Sequence, residues 1–357
     1  MSEQTHLLPA EKVRAMADAI VRAMGAGAER AGIVADHLVT ANLYGHDSHG
    51  VGMLPKYVAG YRAGLLRPAQ ELRVVSDLGA ALVCDGGMGL GQVMGREAMR
   101  RGIEAARRHG LAVVSLRNAF HLGRIGTYAE QCAEAGLASM HYVNVNYIAP
   151  LVAPWGGRDA RFGTNPFAAA LPMPGEDPIV LDMATSRTAL GKVRVARNRG
   201  ERFMAGALID ARGEPSDDPE VMFSEPMGAI LPFGEHKGHA LAMICELFAG
   251  ALTGGETYRA ERRHPAAIQN NMLSVLLTPE AVGGAAYAEE ARRFRAWVKA
   301  SPPAAGADRV MMPGEPERRS AEARRREGLP VDARTLAELA SAASEVGAEW
   351  PEGLPRG

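Results

Sequence analysis

The sequence has 357 residues, 47% hydrophobic and 23% charged, enough for a large core and for two or three structural units. Its formal net charge of −1, with no long block of like charge, argues against a nucleic-acid surface. The three cysteines, Cys84, Cys132 and Cys245, are scattered and form no CxxC, which excludes a disulfide framework and a zinc–cysteine site and fits a reducing, cytoplasmic setting.

The N-terminus, MSEQTHLLPAEKVRAMADAI, lacks the apolar region of a signal peptide. Helices are predicted over 9–24 and 28–43, the second from Ile33, Val34, Leu38 and Val39 at helical spacing. A polar turn, HDSHG (46–50), precedes a third helix over 54–64. The texture then changes. LRVVSD and AALVCD read as strands, 93–108 as a helix, 111–116 as a strand, 127–135 as a helix and 137–145 as a strand. FAAALP, IVLDMA and VMFSEP follow as strand-like runs. The apolar stretch 238–255 is too short and too interrupted to span a bilayer and reads as one buried core helix. A last strand is expected over 273–278, then helices over 286–300, 318–327 and 334–346. The pattern predicts an α/β chain with a helical N-terminal segment (1–74), a central α/β unit (75–270) and a mostly helical C-terminal segment (271–357) packing back on the first.

The stretch DGGMGLGQVMG (85–95), between a strand and a helix, invites comparison with a dinucleotide-binding fingerprint. Gly89 and Gly91 supply G-x-G, but the third glycine, Gly95, comes one place late. No acidic residue ends the next strand; Arg117-Asn118 stands there, which would suit an NADP phosphate better than a ribose hydroxyl. The alternative is a glycine turn that joins strand to helix. Four polar clusters carry more chemistry. His46 to His49 places two imidazoles, a carboxylate and a hydroxyl in four residues, suited to proton transfer, although Asp47 or Ser48 could equally cap a helix. The spacing does not match a metal-binding helix, and no metal is expected. His121 and Arg124 follow a strand, where ligands gather in open α/β sheets, though a solvated loop is the other reading. Gly163 to Pro166 with Asp182 to Ser186 suits hydrogen bonding to a nucleotide, and Leu231 to His239, with Lys237 at a helix start, could meet an anionic ligand.

Five stretches together resemble the malate/L-lactate dehydrogenase family: HDSHGVGMLPKYV (46–58), RNAFHLGRIGTYAEQCAEAGL (117–137), APWGGRDARFGTNPFAAALP (153–172), IVLDMATS (179–186) and LPFGEHKGHALAMICELFAGALTGG (231–255). They lie in the family's order, and the closest resemblance is to the bacterial hydroxycarboxylate dehydrogenases. The resemblance implies a non-Rossmann, sulfolactate/malate dehydrogenase-like α/β fold, with a central mixed-sheet cofactor domain and a mainly helical domain from both chain ends. It implies hydride transfer between NAD, or else NADP, and a 2-oxo/2-hydroxy acid pair, in a homodimer with sites near the interface. A cyclic imine carboxylate, ureidoglycolate or a diketo acid is the alternative substrate. It implies His49 as proton donor, His121 as a second acid/base, and Ser48 and Tyr57 in the same pocket. Cofactor contacts are implied at Val180, Leu181, Asp182, Met183, Ala184, Thr185, Ser186, His236 and Lys237, at a loop containing Gly314 and Glu315, and at Asn270 and Asn271. Many members carry Arg where this chain has Met53, so Arg124 is expected to grip the substrate carboxylate instead.

Overall fold

A computed structural model describes residues 5–284 and 286–357. The chain begins with a short strand, β1 (Thr5–Leu8), then α1 (Ala10–Ala23) and α2 (Ala28–Leu43). In α1, Val13, Met16, Ala17, Ile20 and Val21 form one buried stripe at helical spacing, so the amphipathic pattern is the reason the helix forms and docks. Two 3-10 turns, Asp47–His49 and Val51–Met53, lead into α3 (Leu54–Arg62).

The middle of the chain supplies β2 (Arg73–Asp77), β3 (Ala81–Asp85), α4 (Gly91–His109), β4 (Leu111–Phe120), α5 (Gly126–Glu134), β5 (Ala138–Asn146), β6 (Phe167–Leu171) and β7 (Ile179–Met183). After them come α6 (Leu190–Arg199), β8 (Leu208–Ile209), β9 (Pro215–Ser216), β10 (Ala229–Ile230) and α7 (His236–Cys245). The end of the chain adds β11 (Gln269–Leu277), α8 (Pro279–Gly283), α9 (Tyr287–Lys299), α10 (Glu315–Glu327), β12 (Leu329–Asp332) and α11 (Ala333–Glu345).

The main sheet has seven strands in the order β2-β3-β4-β11-β5-β6-β7. Only β3 and β4 run parallel; the other neighbours are antiparallel. This is a mixed sheet, not the parallel sheet of a doubly wound dinucleotide fold. The expected boundary at residue 270 falls inside β11, which sits between β4 and β5, so the sheet-forming segment runs to Leu277. In the C-terminal segment α11 packs on α3 and α10 on α2, and β12 pairs with β1. One continuous core holds Leu8, Ile20, Leu38, Val114, Met272 and Leu339 together, so both chain ends are built into it. A smaller core around Val152, Val193, Leu208, Ile230 and Ala242 supports the three-stranded sheet β10-β8-β9.

Two of the predicted elements take another form. The run VMFSEP contains no strand: Pro219–Met222 is a 3-10 turn in which Glu220 N donates to the Asp218 side chain. The apolar stretch 238–255 is not one buried helix. It breaks at Glu246 into a π-helical segment, Glu246–Leu252, because Glu246 turns inward to accept from Asn144 Nδ2 (3.0 Å), Asn165 Nδ2 (2.7 Å) and Tyr258 N (2.7 Å). Its outer face, Met243, Ile244, Leu247 and Leu252, is exposed. Among the described residues no helix is long and apolar enough to cross a membrane. The three thiols are free and buried.

Candidate active site

The strand register brings the C-terminal ends of β4, β5 and β7 and the N-terminal ends of β11 and β6 to one edge of the sheet. The HDSHG turn is held over that edge from below. Asn42, in the last turn of α2, donates to Asp47 Oδ1 (2.7 Å) and accepts from Val51 N (2.9 Å). Arg324 of α10 grips Asp47 through both nitrogens (2.6 and 3.0 Å). Asp47 is therefore an anchor, not a helix cap. Gly50 is required by close approach, since a Cβ there would stand 2.2 Å from Asn42 Oδ1. What the turn leaves facing outward is Ser48, exposed, and His49, half-buried.

His121 follows β4 directly and is 7% exposed. Its ring stacks on His49 (centroids 5.5 Å, interplanar angle 17°), with Nε2 3.4 Å from His49 Nδ1. Its Nδ1 lies 2.8 Å from the Tyr57 hydroxyl, which accepts from Gln92 Nε2 at 2.6 Å. Four side chains from four separate segments thus form one hydrogen-bonded row. Burial pushes the His49 ring down to about 4; nearby Asp182 pulls it back up, while His46 and Arg124 depress it. His121 lies well below the ordinary histidine value, first through burial and then through the positive charge His49 can carry. Burial also raises the Tyr57 phenol. At neutral pH the row is uncharged.

The glycine stretch belongs to this site, but as scaffold. Its amides are spent on the end of β4: Gly86 N donates to Arg117 O (2.8 Å) and Met88 N to Asn118 O (2.6 Å), while Gly89 O accepts from Phe120 N (3.0 Å). None of these groups is left to cradle a phosphate. Gly91 lets α4 touch the histidine strand, since a Cβ there would lie 2.2 Å from His121 O and 2.4 Å from Phe120 O. The next residue, Gln92, reaches into the row.

Arg124 cannot act as a free carboxylate clamp. It is 1% exposed, and Glu130 holds its two terminal nitrogens at 2.8 and 2.9 Å. Its Nε faces Asp182 Oδ2 at 3.1 Å, and its guanidinium lies over the Tyr44 ring, 4.7 Å from the centroid. Two carboxylates already neutralise it, and its backbone N–H is taken by His37 Nε2 (2.9 Å). Its place is that of a buried linker between α5 and β7 beneath the histidine pair. Met53 packs half-buried against the main core.

The residues expected to meet a cofactor fall into three groups. Val180 to Met183 lie on β7, the edge strand of the main sheet, and Leu181 points out. Val180 N donates to Pro313 O (3.2 Å), which brings the buried Gly314 against Val180. Phe233 N donates to Thr185 O (3.0 Å), so the start of α7 stands beside the end of β7, with His236 and Lys237 exposed on an N-terminus that no side chain caps. An edge strand flanked by an open helix N-terminus and a lysine fits an anionic dinucleotide. Ala184 is half-buried in the same loop. Other side chains are turned inward. Thr185 Oγ1 donates to Thr164 O (2.9 Å) and Ser186 Oγ to Thr188 O (2.8 Å), and the Asp182 carboxylate is held by Arg124. Glu315 accepts from Lys299 Nζ (2.5 Å) and Met312 N (3.1 Å), which fixes its loop.

Asn271 is not in any of these groups. It is fully buried between β4 and β5, accepting from Asn118 N (2.8 Å) and donating to Asn144 Oδ1 (2.9 Å) and Gly255 O (3.0 Å), so both ends of its amide are committed. Asn270 likewise holds Leu122 N (2.9 Å) and Asn144 O (2.9 Å). These two asparagines fix the loop that carries His121, and both ends of each amide have protein partners. The sequence reasoning missed Gln92, His37 and Glu130. Gln92 stood inside the glycine stretch, where attention to spacing hid it; no local pattern marks His37 or Glu130 as partners of residue 124.

The family model for malate/L-lactate dehydrogenase matches residues 8–340. Hydroxycarboxylate dehydrogenase B of Escherichia coli strain K12 is 44% identical over 347 residues, covering 97% of this chain and 96% of that protein. L-lactate dehydrogenase of Cupriavidus necator is 42% identical over 306 residues, covering 85% and 88%. The solved structure of sulfolactate dehydrogenase from Methanocaldococcus jannaschii superposes with a TM-score of 0.86 at 30% identity, covering 97% and 98% of the two chains. The mixed sheet, the helical unit made from both chain ends and these full-length matches lead to one assignment: this chain belongs to the malate/L-lactate dehydrogenase family.

Proposed function

We propose that this protein is an NAD(P)-dependent dehydrogenase that interconverts a 2-hydroxy acid and a 2-oxo acid, with His49 exchanging the proton at the substrate oxygen. The observation that carries this reading is the His49–His121 pair: a half-buried imidazole, neutral at pH 7, backed by a buried row of hydrogen bonds and standing near Asp182 of the cofactor strand. The relatives named above are dehydrogenases of hydroxycarboxylates, lactate and sulfolactate, and the last two are 2-hydroxy acids.

Bound NAD(P) supplies the hydride acceptor, and the protein supplies position and proton handling. The outer face of β7, the His236–Lys237 start of α7 and the Gly314 loop would hold the dinucleotide, and NAD is the first choice. In the oxidising direction the neutral His49 ring takes up the hydroxyl proton, and the Asp182 carboxylate favours the imidazolium that results. In the reducing direction His49 returns that proton to the nascent alkoxide. Ser48, exposed beside His49, is placed to hydrogen-bond the substrate. The protein is proposed to work in the cytoplasm as a homodimer; the exposed apolar face Met243, Ile244, Leu247 and Leu252 supports the association.

Absorbance at 340 nm tests the reading, with NADH and NADPH each offered with pyruvate, oxaloacetate, 2-oxoglutarate, phenylpyruvate and a cyclic imine carboxylate. Oxidation of either cofactor by a 2-oxo acid is expected. Turnover of the imine alone would move the activity to the alternative substrate class, and no turnover with any of them would overturn the proposal.

A further inference from the structure

Gln92 is 1% exposed, in the first turn of α4, and no part of the proposed reaction uses it. Its Nε2 meets the Tyr57 hydroxyl at 2.6 Å, the hydroxyl meets His121 Nδ1 at 2.8 Å, and His121 Nε2 meets His49 Nδ1 at 3.4 Å. Its Oε1 is buried and has no hydrogen-bond partner among the described residues. Tyr57 and His121 are themselves buried, so the protein alone dictates their hydrogen bonding.

A row of this kind has a direction. An amide N–H can only donate, so a hydroxyl that accepts from Gln92 turns its own proton toward His121 Nδ1. A neutral imidazole carries one N–H, so the His121 proton then sits on Nε2 and is donated to His49 Nδ1. The His49 proton is left on Nε2, where it can be offered to a carbonyl oxygen. If the amide turns end over end, every step reverses. Oε1 accepts from the Tyr57 O–H, the Tyr57 oxygen accepts from His121 Nδ1–H, and His121 Nε2 accepts from His49 Nδ1–H. His49 Nε2 is then a lone pair, able to accept from a hydroxyl. The unpartnered Oε1 means that only the contact with Tyr57 distinguishes the two orientations.

We infer that Gln92 is a positioning residue whose amide, acting through Tyr57 and His121, sets which tautomer His49 presents to the substrate. Glutamine suits the role because it has a donor end and an acceptor end in one shape. One orientation serves the 2-oxo acid and the other the 2-hydroxy acid. The kinetic consequence rests on the proposed 2-hydroxy acid chemistry; the tautomer control itself does not.

The test is ¹⁵N NMR of the histidine rings in the full-length protein at neutral pH, compared between wild type, Gln92→Glu and Gln92→Met, with initial rates measured alongside. With Nε2 toward Tyr57, wild-type His121 is expected as the Nε2–H tautomer. Gln92→Glu, whose carboxylate only accepts, is expected to convert it to Nδ1–H. Gln92→Met is similar in shape and uncharged, and keeps the test available if a buried carboxylate prevents folding. It offers neither donor nor acceptor, so the two ring nitrogens of His121 should move toward one averaged signal. Gln92→Glu should lose about tenfold or more in kcat for 2-oxo acid reduction, with KM changed little and 2-hydroxy acid oxidation spared, as follows when a catalytic histidine is held in the wrong tautomer for one direction, and Gln92→Met, with the tautomers mixed, should fall between wild type and Gln92→Glu in reduction. A His121 tautomer indifferent to residue 92, or wild-type kcat in Gln92→Met, would overturn the inference. If the tautomer follows residue 92 but His49→Ala turns over normally, the row stands and the role proposed for His49 fails.

Discussion

The buried histidines make the stability of this protein depend on pH, and His141 isolates the effect. His141 lies on β5, away from the histidine pair, between Ser274 Oγ (2.8 Å from Nδ1) and Ser139 Oγ (3.0 Å from Nε2). Burial pushes its ring down to about 3, and the His37 ring likewise to about 3. In the unfolded chain both return to about 6.5. A ring with a depressed folded value stays neutral when folded but takes a proton when unfolded. Its contribution is therefore complete above about pH 6.5 and is lost as the pH falls toward 3. At pH 4.5 each ring is about two pH units below its unfolded value, which corresponds to about 3 kcal/mol. His37 and His141 together remove about 5–6 kcal/mol, comparable to the whole stability of many domains, and His121 acts in the same direction. Urea unfolding at a series of pH values measures the loss. In His141→Gln, which keeps polar atoms for both serines, the fall between pH 7.5 and 4.5 should be smaller by about 3 kcal/mol. Carboxylate titration is common to both proteins and cancels. An identical pH dependence in variant and wild type would refute the reasoning.

Three further outcomes are expected. Arg124→Met leaves Glu130 and Asp182 without their shared cation and should cost about 3 kcal/mol or more of stability in urea; unchanged stability with a raised KM alone would restore Arg124 as a substrate clamp. Gly91→Ala would press its new methyl onto His121 O and should lose at least about tenfold in turnover with about 1–3 kcal/mol of stability, whereas Gly89→Ala should leave the NADH Kd unchanged; loss of NADH binding in Gly89→Ala would make the glycine stretch a phosphate cradle after all. Lys237→Met should weaken NADH binding by about tenfold, the worth of one charge-assisted contact, and an unchanged Kd by fluorescence titration would remove α7 from the cofactor site.

What the sequence revealed was mostly local. The helical spacing in α1 and α2, the helical ends and the polar turns were readable because each depends on a few neighbouring residues. The strand pairings were not. β1 meets β12 across more than 300 residues, and β11 inserts between β4 and β5, so a boundary drawn on composition cut a central strand in two. The same distinction runs through the site. The chemistry at His49 and His121 stood out as residue types flanked by glycines, but residue type could not say which polar groups were free. Arg124 looked available because Asp182 lies 58 positions away, and Asn271 because Asn144 and Asn118 do. Glu246 interrupts an apolar run, but its partners, Asn144 and Asn165, lie far away in the chain and could not be read from it. The glycine stretch was the reverse case: its third glycine comes one place late, and its backbone groups bond to the end of β4.

The proposal that His49 exchanges the proton at the substrate oxygen is tested most directly by His49→Ala, assayed at 340 nm with the best 2-oxo acid, with NADH affinity measured by fluorescence on the same preparation. A fall in kcat of about a hundredfold or more is expected, with the NADH Kd little changed, because the proposal puts the ring at the substrate and the cofactor on other elements. Wild-type kcat in that variant would contradict the account.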